Sequence, residues 1–138
     1  RQRQMCIRER AGADVILGAH PNVVQGVERI STVRSDGLTY ETVVCYSLGC
    51  LLTDARDSEN TAGMAVRLEM TYDPAVRRVW PGALEVTPLY IARQREDSGI
   101  VYRAVNAQDE QALEKLTLSE QAAAAQAAER VKNATQEE

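Results

Sequence analysis

Gly12-Ala13-Asp14-Val15-Ile16-Leu17-Gly18-Ala19-His20-Pro21-Asn22 is the stretch whose reading decides the fold class. Val15, Ile16 and Leu17 form a short continuous apolar run that stops at Gly18, the pattern of a fully buried strand of the parallel type. Upstream, Arg1 to Arg10 is rich in good helix formers, and Gly12 sits where a helix would end in the left-handed conformation that glycine tolerates. Helix, glycine and buried strand in that order make an α/β unit. Gly18 to Asn22 then forms a loop at the carboxyl end of the strand, where open α/β sheets gather their ligand sites.

Beyond this unit the pattern becomes antiparallel. Ser35-Asp36-Gly37 supplies an Asp-Gly turn between Glu28-Arg29-Ile30-Ser31-Thr32-Val33 and Glu41-Thr42-Val43-Val44-Cys45-Tyr46, which predicts a hairpin. Asp54 to Gly63 is polar and reads as a surface loop. Met64, Val66, Leu68, Met70 and Tyr72 then alternate with Ala65, Arg67, Glu69 and Thr71, a strand with one wet face whose apolar stripe is expected to be core. Asp73-Pro74 closes it, Val79-Trp80 and Leu84 to Ile91 offer further strands, and Pro88 confines its own strand to an edge or a bulge.

The tail is helical. Asn106 is placed to cap one helix with Asp109 at its third position, and Thr117 to cap a second with Glu120 completing a capping box. The second helix runs through Ala122 to Ala125 toward Val131, and its small side chains predict a peripheral docked helix fraying toward Glu138. The domain division is therefore 1–106 for the α/β part and 107–138 for a helical extension.

Composition removes several function classes. The 138 residues carry a net charge of -4, with 44% apolar and 26% charged residues, as in ordinary globular protein. Charges interrupt every apolar run well before the roughly 18 residues that a membrane-spanning helix requires. The acidic balance opposes a nucleic-acid binder, and Arg1, Arg3, Arg8 and Arg10 fall on several sides of a helix, as a solvated surface would. Because the chain opens at Arg1 rather than Met, a processed product or a fragment is expected. Five Tyr, one Trp and no Phe leave a thin aliphatic core, as expected if part of the domain lies elsewhere.

Chemistry-bearing residues are few. Cys6, Cys45 and Cys50 are an odd set without a Cys-x-x-Cys pair, so they are buried free thiols or, for Cys45 and Cys50, partners across a tight turn. His20 is the one histidine, and Asn22 stands two residues on, where an extended His-x-Asn would aim both side chains the same way. An imidazole and an amide oxygen on one face can share a divalent ion. Ser47 lacks the Gly-x-Ser-x-Gly context of a nucleophile elbow, and Cys50 as a nucleophile would need His20 beside it. The eight glycines are scattered, so no phosphate-binding loop is present.

Gly12 to Glu28, with Gly18-Ala19-His20-Pro21-Asn22-Val23 at its centre, followed by Val44-Cys45-Tyr46-Ser47-Leu48-Gly49, resembles the C-terminal part of the bacterial capsule synthesis proteins associated with poly-gamma-glutamate. These are the CapA-like proteins, related to calcineurin-like metallophosphoesterases. The family pattern is Gly-Ala-Asp, an apolar strand, Gly-x-His-Pro-His-Val and then Tyr-Ser-Leu-Gly-Asn-Phe. The stretch from Ala83 to Tyr102 is also similar to the family's closing strands, so the resemblance covers about residues 5–106.

The resemblance implies a fold of class α/β with α+β character, the C-terminal half of a four-layer α/β/β/α sandwich followed by a helical tail. It implies that His20 is a metal ligand, that Asn22 stands where a second His is usual, and that Cys50 and Leu51 replace an Asn and a Phe. The implied cofactor is a divalent ion, Mn, Zn or Fe, which in a two-metal site polarises a phosphoryl or amide oxygen and activates water. The upstream half of the domain, with the remaining ligands, is the implied partner, so a hydrolase activity is expected only with that half present. Cell-envelope polymer or synthesis-complex subunits are further implied partners, and the implied location is the outer face of the cell envelope, anchored upstream. The changes at Asn22 and Cys50 support a second expectation, a non-catalytic polymer-binding or assembly component. A third is a structural domain with His20 buried and silent.

Overall fold

The computed structural model describes residues 12–55 and 57–136. It is a mixed α/β protein built from two three-stranded sheets and a long C-terminal helix. The first sheet holds β1 (Val15–Leu17), β2 (Val27–Val33) and β3 (Thr39–Cys45) in the order β1-β3-β2. β1 lies parallel to β3, with Val15 opposite Val43 and Leu17 opposite Cys45, and β2 lies antiparallel to β3. The β2–β3 hairpin closes where expected, since Gly37 takes φ 78° and its N–H bonds the Arg34 carbonyl. β3 is the buried centre: Thr42, Val43, Val44 and Cys45 are all fully buried, as suits β-branched residues in a central strand.

The expected burial of β1 is corrected in part. Ile16 is buried, but Leu17 is 62% exposed because β1 is an edge strand with β3 on one side only. The helix expected over Arg1 to Arg10 and the thiol of Cys6 lie outside the described residues.

The second sheet is an antiparallel meander of β4 (Ala62–Asp73), β5 (Arg78–Glu96) and β6 (Gly99–Asn106). The separate strands expected at Val79-Trp80 and Leu84 to Ile91 are one continuous strand. Both of its prolines sit where a missing N–H is harmless. Pro81 flanks the register shift beside Met70, and Pro88 lies just before the Leu89–Glu96 portion that pairs with β6. The Pro88 carbonyl accepts from Ala107 N, past the end of β6, so the absent donor falls on the side where the ladder has run out.

The alternating stripe of β4 is core over only part of its length. Met64 is buried, whereas Met70 is 43% and Tyr72 58% exposed, because the helix covers the sheet at the Ala62 end and the far end of the hairpin runs beyond it. Two helices follow, α1 (Glu110–Leu113) and α2 (Leu118–Gln136). The α1 cap is Asp109, whose carboxylate accepts from Ala112 N, while Asn106 instead accepts from Gln108 N in a side-chain turn. The capping box of α2 forms as read, with Thr117 N bonded to Glu120 Oε2 and Glu120 N to Thr117 Oγ1.

α2 is not peripheral. Ala124 and Ala127 join Ala62, Tyr90, Ala92, Ala107 and Leu116 in one buried cluster. Small residues on both sides bring helix and sheet close together, so little bulk still yields a dry interface.

Candidate functional site

Parallel pairing sends β1 and β3 out of the sheet at the same edge, and each then enters a loop. Residues 18–24 follow β1 and residues 46–50 follow β3. The two loops are joined backbone to backbone: Gly18 N donates to Cys45 O at 2.7 Å, Leu48 N to Gly18 O at 3.2 Å and Gln25 N to Ser47 O at 3.0 Å, with a further bridge between Val24 and Leu48. A Cβ on Gly18 would stand 2.0 Å from the Tyr46 carbonyl oxygen, so no other residue fits there. The second loop is tied in turn to β4, through Met64 N to Leu48 O at 2.9 Å and a bridge between Gly49 and Gly63. Gly49 has φ +72°, and its Cβ would meet Ala62 O at 2.7 Å. The candidate site therefore sits at the junction of the two sheets.

His20 and Asn22 both lie exposed on the first loop. The backbone bends at residues 21–23, so the extended His-x-Asn read from the sequence is not formed. His20 is exposed in this chain, not buried as the third expectation had it. The Ser47 hydroxyl donates to Pro21 O at 2.5 Å and accepts from Gly49 N, and the half-buried Cys50 thiol donates to Asn22 O at 3.5 Å.

Cys45 and Cys50 are both free thiols, which closes the choice left open by their spacing. Burial pushes the Cys45 thiol above its ordinary pKa, so it stays protonated beneath the site as a small apolar group. Asp14 is taken up by structure: its carboxylate accepts from Arg34 at 2.9 Å, and the neighbouring Ala13 carbonyl accepts from Arg34 and Thr42.

A structural zinc site needs four donors, and a catalytic one at least three from protein. Among the described residues no group of three or more His, Cys, Asp or Glu side chains is gathered to hold a metal. His20 and Asn22 offer one imidazole and one amide oxygen, fewer donors than either kind of site requires. Exposed Leu51 and Leu52 lie immediately beyond Cys50.

The sequence placed His20 correctly at the carboxyl end of a parallel strand, whereas Ser47 was read as part of the second motif and as a poor nucleophile, with no sign of its bond to Pro21. The available signal was the position of Ser47 two residues after a buried strand, but its partner Pro21 is 26 residues away. The chain matches no protein-family model, no curated protein and no solved structure.

Proposed function

We propose that this chain is the C-terminal portion of a CapA-like capsule or poly-gamma-glutamate synthesis protein, contributing His20 and Asn22 to a metallophosphoesterase-like site completed by residues outside it. In that reading the two sheets and helix form half of a four-layer sandwich. The observation that carries it is the convergence of the two family-like motifs: Gly18 to Asn22 and Tyr46 to Cys50, far apart in sequence, are hydrogen-bonded into one surface with His20 exposed on it. His20 supplies an imidazole lone pair and Asn22 an amide oxygen to an ion of the Mn, Zn or Fe class. The protein works at the outer face of the cell envelope, anchored through an upstream segment.

Calorimetry of manganese and zinc binding to the complete parent polypeptide tests this, comparing wild type with His20→Ala. Loss of one binding event supports the reading, since removal of a direct ligand abolishes or severely weakens its site. Equal binding by both proteins, or by neither, removes His20 from the metal. The second reading, a non-catalytic polymer-binding or assembly component of the envelope machinery, then takes over. It is favoured by Asn22 and Cys50 standing where the family pattern has His and Asn.

A further inference from the structure

The His20 loop is an arch with two feet. Gly18 O is held by Leu48 N at 3.2 Å and Pro21 O by the Ser47 hydroxyl at 2.5 Å, and Ala19 and His20 between them are exposed. Leu48 N is part of the backbone and cannot be altered by a side-chain change, whereas the other foot depends on the Ser47 hydroxyl, with the weaker Cys50 thiol on Asn22 O one residue on. Ser47 is fully buried, one of two buried polar residues in the described core. Its carbonyl also accepts from Gln25 N, so the same residue grips the loop in the middle and at its end. A buried hydroxyl retained in an apolar setting has its hydrogen bonds satisfied, and here its donor bond goes to the residue after His20.

We infer that Ser47 is the positioning residue of the candidate site: its hydroxyl, by holding the Pro21 carbonyl, fixes the backbone from which the His20 imidazole projects. The structural claim stands on the hydrogen bonds alone. Its consequence for a metal rests on the reading proposed above.

His20 is the single histidine of the chain, so its imidazole CH signals report on the loop directly and are assigned by their loss in His20→Gln. In Ser47→Ala those signals are expected to broaden or move toward free-peptide positions while the amide signals of β3, β4 and β5 persist. Val131→Ala, a core change on α2, serves as the control for general loosening and leaves the His20 signals in place. Unchanged His20 signals in folded Ser47→Ala overturn the inference. Should Ser47→Ala not fold, Ser47→Cys leaves no cavity but offers a weaker donor. Its His20 signals are then expected to shift in the same direction, and unshifted signals overturn the inference equally.

In the complete parent polypeptide, Ser47→Ala is expected to weaken zinc binding by roughly 10- to 100-fold, the usual cost of losing a group that orients a ligand. If the wild-type parent binds no zinc while the His20 signals still respond to Ser47→Ala, the proposed metal site fails and the positioning role survives.

Discussion

The carboxyl ends of β1 and β3 and the far end of the β4–β5 hairpin both join the first sheet to the second, by opposite means. At the first, the chain meets itself backbone to backbone, with Gly18, Gly49 and Gly63 each leaving no room for a Cβ. At the second, contact is made by long side chains. Arg29 pairs with Glu41 and donates to the carbonyls of Pro81 and Gly82, and Arg78 donates to Thr39 O at 2.9 Å. The Tyr40 ring lies 3.9 Å from the Arg34 guanidinium carbon and 4.1 Å from that of Arg78. Nε of each arginine has no hydrogen-bond acceptor among the described residues, and the ring face is what offsets this. Backbone contacts hold position with no spare atoms, so they suit a site; arginine contacts can readjust, so they suit a brace.

The largest expected break in that comparison is Gly18→Ala. With Tyr46 O in the way of the new methyl, the two loops must separate, and urea denaturation should show a loss of about 3 kcal/mol or more. A smaller contrast comes from truncating one apolar residue near each end of the β4–β5 hairpin. Ile91→Ala, at a buried position of the second sheet whose N–H bonds Thr61 O, should cost about 3 kcal/mol, whereas Met70→Ala near the hairpin's far end should stay within about 0.5 kcal/mol. A comparable loss at Met70 would mean that the far end is packed and not merely braced.

The smallest effect concerns the tip of the β2–β3 hairpin. The Tyr40 hydroxyl donates to Asp36 at 2.6 Å, which holds the carboxyl below its ordinary pKa and raises the phenol above its own. The carboxyl's contribution is present above the ordinary carboxylate pKa and lost as pH falls through the depressed value. The phenol's is present below the ordinary phenol pKa and lost as pH rises through the raised one. Asp36 is exposed and Tyr40 only half-buried, so the stability change is slight. Asp36→Asn should lower the Tyr40 ionisation midpoint in a phenolate absorbance titration, and an unmoved midpoint would remove the bond.

What the sequence disclosed were features decided within a few residues. The Asp36-Gly37 turn, the Thr117–Glu120 capping box and the alternation from Met64 are local, and each is present in the structure. The continuity of β5 was hidden by Pro81 and Pro88, since harmless placement of a proline depends on where the neighbouring strand ends. The site was half legible for the same reason. His20 followed from a strand and a glycine next to it, while Ser47 became meaningful only when parallel pairing of β1 and β3 carried it to Pro21.

The seam between α2 and the second sheet carries its own division of labour. Ala124 and Ala127 against Ala62, Ala92 and Ala107 set how near the helix lies, but a row of methyl groups is too smooth to set where along the sheet it stops. That task falls to polar end-stops. The Glu120 carboxylate accepts from the backbone N–H of Arg93 on β5 as well as from Thr117, and Arg130 donates to Ser58 at 2.8 Å. Spacing and alignment are thus assigned to different residues, and the helix could be retuned along its axis without touching the seam that holds it.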